Sequence, residues 1–374
     1  MSGQATSTEM SLAQSPVDDR ATVCQVMIRF ANNPTVIAAF GVKLFCGLFA
    51  IGLFIALAFP RLRKLHINAY NILHAHFVFV LISSIGVVLN DGFDLTRLTL
   101  FRHRIEYKEG SDYCGLFSMR ASYGVWIRLI TFFGNTGSTL SMTALAIERT
   151  YATIQSKSYE KESKQSFGWL LIFLAVFINF GLKTYIALHI NYRRYLPMQS
   201  LSVEAAPYAT CVLYINTGCE VFNIVVFIIL WHVITVLQKT IVTQLQVEEN
   251  MNTVAIMISL VSLHFFINII AYLIQLYGTW HNESPQEKLE YVIRGDVAPT
   301  YDFLLPLLTL CRIYWKRKRE RKGSMQRVLS PVENLLPNDH FKMLNGMFDK
   351  AHDRSVLKRG RKVPTVSHIT SRIL

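Results

Sequence analysis

Glu148 and Arg149 stand side by side where an apolar stretch beginning at Ser122 gives way to the polar run TYATIQSKSYEKESKQS. An acid–base pair at the edge of an apolar helix is costly to place, so it marks either a functional position or an anchor that sets helix depth. Adjacent helical residues diverge by about 100°, so each long side chain can meet the other or a different neighbour. Other ionisable residues interrupt apolar runs elsewhere: Lys43, Arg128, Lys183, Glu220, Arg294, Asp296 and Asp302. In lipid such groups turn toward a bundle interior or a water-filled cavity. The chemistry they suggest is ligand recognition, with Arg128, Glu220, Arg294 and Asp296 as the expected binding set. The competing reading is snorkelling or structural pairing, such as Lys183 with Glu220.

Catalytic patterns are missing from the chain. There is no P-loop, no HExxH and no GxSxG. His74 and His76 are two residues apart and point to different helix faces, a poor metal pair. His189, His232 and His264 are scattered singly, and a lone histidine on an apolar helix is usually a hydrogen-bonded packing residue. The six cysteines include no CxxC pair. No enzyme, no cofactor and no metal site is therefore expected.

The elements that must position these residues follow from composition. The chain has 374 residues, of which 51% are hydrophobic and 17% charged, against about a quarter charged in soluble domains. Long apolar runs hold the excess, which points to an integral membrane protein. Seven runs are long enough for a hydrocarbon core. They lie at Pro34–Phe59, Ile67–Asn90, from Ser122 to Glu148-Arg149, and at Phe167–Ile190, Cys211–Leu237, Thr253–Tyr277 and Leu289–Cys311. An all-α bundle of seven transmembrane helices is expected. Residues 1–33 read as a polar, flexible N-terminal segment, and Asp91–Ala121 as a long connection. The run Asn135-Thr136-Gly137-Ser138-Thr139 makes the third span unusually polar, so that face must turn inward, and its small residues let a neighbouring backbone approach closely. Pro299 and Pro306 predict kinks in the seventh span.

Sixteen of the 38 Lys and Arg residues lie from Arg312 onward. With the N-terminus outside, the tail and eight connection residues place 24 on the inner side against ten on the outer, which favours N-out, C-in. Asn282-Glu283-Ser284, a glycosylation sequon, then falls outside. Lys316 to Lys322 would lie against an anionic inner leaflet, and beside a span a membrane surface is a better partner for this basicity than nucleic acid. Within the tail, His340–Phe348 could form an amphipathic turn.

Glu148-Arg149 at the close of a third span resembles the acidic–Arg pair that ends helix three in seven-helix G-protein-coupled receptors. The longer string Glu148-Arg149-Thr150-Tyr151-Ala152-Thr153, followed by Tyr159-Glu160-Lys161, resembles the E-R-x-x-A-T…Y-E-K pattern of the nematode serpentine chemoreceptors, in the superfamily that holds the Sra, Srab, Srb and Sre classes. The likeness in span layout covers roughly Pro34 to Lys322. It implies residues 1–33 as an extracellular segment, 34–315 as the receptor domain and 316–374 as a cytoplasmic tail. It further implies a small-molecule chemical ligand, a heterotrimeric G protein as partner, and the plasma membrane, the sensory cilium included, as location. Glu148 and Arg149 would be the coupling switch, with Glu248 and Glu249 as alternative acids for Arg149. A disulfide between Cys114 and Cys211 is also implied, with Cys24 as rival partner. The alternative function is a seven-helix transporter or ligand-gated channel, which inverted repeats and broken helices would mark; no repeat is visible, and only the seventh span looks broken.

Overall fold

A computed structural model describes residues 16–57, 66–105, 119–155, 166–193, 195–196, 206–240, 244–281, 285–311 and 314, and the chain divides into two compact units, Met1–Thr309 and Leu310–Leu374. The helical bundle belongs to the first. In chain order it holds α1 (Pro16–Ala31), α2 (Pro34–Leu57), α3 (Ile67–Ile105), β1 (Met119–Arg120), α4 (Ala121–Ile154), α5 (Ser166–Leu188), β2 (Tyr195–Leu196), α6 (Ala206–Thr240), α7 (Gln244–His281) and α8 (Pro285–Gly295). A last helix, α9, covers 298–311. The two short strands pair antiparallel, Met119 with Leu196 and Arg120 with Tyr195.

Among the described residues five helices are long and apolar enough to cross a membrane, over Pro34–Ala56, Ile67–Leu100, Ser166–Leu188, Pro207–Val236 and Met257–Ile274. At 34 residues α4 is long enough at about 51 Å, but its polar run lowers its hydropathy. Packing resolves the conflict, because α4 is enclosed by α3, α5 and α6 and buries Thr136, Ser138, Thr139 and Ser141 among them. By contrast, α5 presents Phe173, Phe177 and Phe180 outward.

Glycine sets how closely α3 and α4 approach. A Cβ at Gly86 would stand 2.6 Å from the Thr131 backbone nitrogen, and one at Gly134 would meet the Ser83 backbone. Only hydrogen fits at these facing positions, so the two helices lie nearly backbone to backbone.

Three expectations need correction. Residues 1–33 are not wholly a loose segment, since α1 buries Val23, Val26, Met27 and Phe30 against Phe40, Leu98 and Ile293. Those four stand at i, i+3, i+4 and i+7, the spacing of an amphipathic helix face. The connection after Asn90 is helical as far as Ile105, where Arg97 pairs with Asp94 at 3.0 Å within α3. The seventh span is two helices rather than one. Gly295 ends α8 with its α-carbon facing Ile274 so closely that no Cβ fits. Asp296 Oδ1 then accepts from the Ala298 backbone nitrogen at 3.3 Å, a cap for α9, and Pro299 sits in the first turn of α9, where no N–H is required. The break thus precedes Pro299, and α9 runs on through Pro306.

Candidate functional site

Between α3, α4, α5, α6, α7 and the α8–α9 junction lies a cavity of about 150 Å³. Three residues of the expected binding set, Arg128, Glu220 and Asp296, line it, together with the buried Asp91. Arg294 does not. It is exposed on the last turn of α8 and pairs with Glu290, which also meets Arg29 at 3.3 Å and accepts from Asn33. The i,i+4 spacing from Glu290 draws Arg294 along its own helix, so it serves the contact of α8 with α1 instead of the cavity.

Asp296 is held by Lys43 of α2 at 3.2 Å, an ion pair that fixes the helix break against the bundle wall. Lys183 of α5 is buried, lines the cavity and donates to Thr136 Oγ1 at 2.6 Å. Asn216 of α6 donates to the same oxygen at 3.2 Å. The structural pairing of Lys183 with Glu220 is not formed. Among the described residues Lys183 has no carboxylate partner, and Glu220 instead lies 2.6 Å from His264 Nδ1 of α7. That approach lacks hydrogen-bond geometry, so both Glu220 oxygens go without a hydrogen-bond donor there. Lys183 and Arg128 share a neighbour in Phe132, at 5.6 and 5.0 Å from the ring centroid. Among the described residues the cavity wall therefore combines Lys183, held by a hydroxyl and a ring, Arg128, over the same ring with Asp91 and Asp296 in its electrostatic reach, and a Glu220 carboxylate lacking a hydrogen bond.

Below this wall runs a network that sequence reading divided into isolated packing histidines. His264 Nε2 meets Ser138 Oγ at 3.1 Å, and Nδ1 meets Asn268 at 3.2 Å. His76 of α3 is fully buried, with Nδ1 3.2 Å from the Ser138 carbonyl and 3.0 Å from Ser141 Oγ, and with Nε2 2.8 Å from the Tyr301 hydroxyl of α9. Ser83 bridges Asn135 and Asp302 at 2.7 and 2.8 Å. Every member is buried or half-buried, and α3, α4, α7 and α9 are tied through one polar layer. A sequence signal was present, because Ser138 with Ser141, Asn216 with Glu220, and His264 with Asn268 each lie three or four residues apart, one polar stripe per apolar helix.

Toward the other end of α4, Glu148 and Arg149 are both buried and close on each other, with Nε to Oε2 at 2.5 Å and Nη2 to Oε1 at 2.6 Å. Two parallel bonds from a planar guanidinium to a carboxylate make a strong, geometrically defined pair. Glu248 and Glu249 are in α7, but their side chains lie outside the described residues, as do Tyr159-Glu160-Lys161, Asn282, His340–Phe348 and Lys316–Lys322.

The implied disulfide is corrected in part. Cys211, near the start of α6, is an exposed free thiol, while Cys24 of α1 is disulfide-bonded. Cys114 lies outside the described residues. The pairing of Cys114 with Cys211 is thus not made, and the cysteine that is bonded sits on α1, an element the sequence reading had treated as loose.

No curated protein matches the chain. Residues 21–347 match the family model for the serpentine type 7TM GPCR receptor class ab chemoreceptor, a match that begins within α1 and runs past α9. With that span matched, and a polar cavity and a buried acid–Arg pair on one central helix, the chain belongs to the serpentine seven-transmembrane chemoreceptor family of class ab.

Proposed function

We propose that this chemoreceptor-family protein binds an external small molecule in the cavity beside Arg128, Lys183 and Glu220 and passes the signal to a heterotrimeric G protein. One observation carries the reading. The cavity wall and the Glu148–Arg149 pair lie toward opposite ends of the same central helix, and a buried polar layer ties that helix to α3, α7 and α9. A ligand that changes how α7 and α9 sit against Ser138 therefore acts on the helix that carries the pair. Such a device needs a differential contact in two states, and the bonds of His264 and Tyr301 supply one.

In this reading the N-terminus and the cavity face outward, the pair and the basic tail face the cytoplasm at an anionic leaflet, and the protein works at the plasma membrane. The excess of Lys and Arg on the tail supports that orientation. The test is ligand-dependent nucleotide exchange on a G protein, compared with ion flux in the same cells expressing the full chain. Exchange without flux is expected. Flux without exchange would replace the receptor reading with a channel or transporter.

A further inference from the structure

The cavity's unmet hydrogen-bonding capacity indicates what fills it. Lys183 is buried on α5, and among the described residues its ammonium meets the Thr136 hydroxyl and the Phe132 ring and no carboxylate. Arg128, half-buried, approaches the same ring from α4, and although no carboxylate among the described residues comes within ion-pair distance of it, Asp91 and Asp296 lie within its electrostatic reach. A buried cation without an anion is costly, Lys183 is one among the described residues, and with Arg128 over the same ring a single anionic group could reach both. On the facing wall, α6 offers acceptors and no anion sink. Asn216 Oδ1 and both oxygens of Glu220 go without a hydrogen-bond donor although buried. Asn216 shares Thr136 with Lys183, so the two walls meet there. Glu220 is one helical turn further along, about 6 Å away.

We propose that the ligand is a small organic acid carrying a hydrogen-bond donor at its far end, an amino or hydroxy acid, with its carboxylate between Lys183 and Arg128 and its donor at Glu220. The volume agrees. At about 150 Å³ the cavity is below the roughly 300–1,000 Å³ of sites for drug-sized ligands. A neutral odorant would leave the Lys183 ammonium without an anion, and a simple amine would add a further cation to the wall. Lys43 holds Asp296 at 3.2 Å, and because Asp296 and Asp91 both lie within electrostatic reach of Arg128, the firmest contact for the acid end is Lys183. Guanidinium and ammonium together suit a carboxylate, the first as a two-pronged donor and the second as a compact charge.

This proposal rests on the receptor reading for its biological sense, but not for its test, because binding can be read without signalling. The probes are 4-aminobutyrate, 4-hydroxybutyrate and 5-aminovalerate, each with its primary amide. The purified full chain in lipid nanodiscs is melted with each. At least one acid should raise the melting temperature, its amide should not, and Lys183→Met should remove the shift. Lys183→Arg should keep part of it, which separates loss of charge from loss of fold, and the ligand-free melt of each variant shows that it is folded. Amides that stabilise as well as acids, acids that stabilise Lys183→Met as much as the unaltered chain, or no response to any acid would overturn the ligand class. Acid binding without G-protein exchange would keep the ligand class and sink the receptor reading. Exchange driven by a neutral compound and indifferent to Lys183→Met would do the reverse.

Discussion

Arg149 is locked onto Glu148 at 2.5 and 2.6 Å, while Arg128, about six turns away on the same helix, has the ring of Phe132 at 5.0 Å, and Lys183 beside it has the Thr136 hydroxyl at 2.6 Å. Both regions hold buried or half-buried charge on α4 or against it. At one the charge is closed within the protein, and at the other it is left open toward a cavity. A closed pair stores a conformation, since breaking it strands a buried ion. An open set stores an affinity, since something from outside must complete it. The contrast fits the proposal that one end of α4 binds and the other switches.

The comparison breaks most visibly at the closed pair. Arg149→Ala removes the two bonds that close on the buried Glu148 carboxylate, and the loss is expected to be about 3–5 kcal/mol of stability, with coupling abolished and ligand binding retained in the molecules that fold. Glu148→Ala should raise ligand-independent signalling if the pair is a lock, whereas a mere depth anchor gives lower surface expression with no basal gain. An Arg149→Ala receptor that reaches the surface and signals normally would remove the mechanistic meaning of the pair.

Next in size is the α3–α4 contact that holds both regions in one frame. Gly134→Ala drives a methyl into the Ser83 backbone, and overpacking of this kind costs about 1–3 kcal/mol. Melting in nanodiscs should fall accordingly, and ligand response should weaken together with surface expression. A melt unchanged from the parent would show that the helices part at no cost there.

The open end should answer in the opposite sense. Lys183→Met removes a buried cation that has no carboxylate partner among the described residues, so the ligand-free melting temperature should hold or rise, although the response to a ligand is lost. A fall as large as that of Arg149→Ala would mean that Lys183 is closed after all. The smallest effect belongs to Arg294. Its partner Glu290 keeps Arg29 and Asn33, the pair is half exposed, and Arg294→Ala should cost about 0.3–0.5 kcal/mol with ligand potency unchanged. A marked loss of potency at normal expression would return Arg294 to the binding set.

The outline of this molecule was legible in the order of its residues. Runs of about twenty apolar residues have one stable form in lipid, so the seven spans could be read without tertiary information. Glu148-Arg149 announced itself because charge at a span boundary is rare, and Arg128, Glu220 and Asp296 announced themselves because charge within a span is rarer. What could not be read was partnership. Arg294 looked like a cavity residue until its own helix claimed it through Glu290. Lys183 and Glu220 looked like a pair, yet Thr136 takes the first and His264 faces the second. His76 and His264 looked solitary, although Ser138 joins them across three helices.

Local rules therefore determined which segments are helices, which of them are apolar enough for lipid, and which residues are too costly to be accidental. The tertiary structure alone decided that the span with the polar Asn135–Thr139 run is the central one, that α1 docks through Val23, Val26, Met27 and Phe30, that the last span breaks at Asp296, and which charges close on one another. The reason is range. Hydropathy, helical period and caps act over one to five residues, while an ion pair such as Lys43–Asp296 joins positions that only the assembled bundle brings within 3.2 Å.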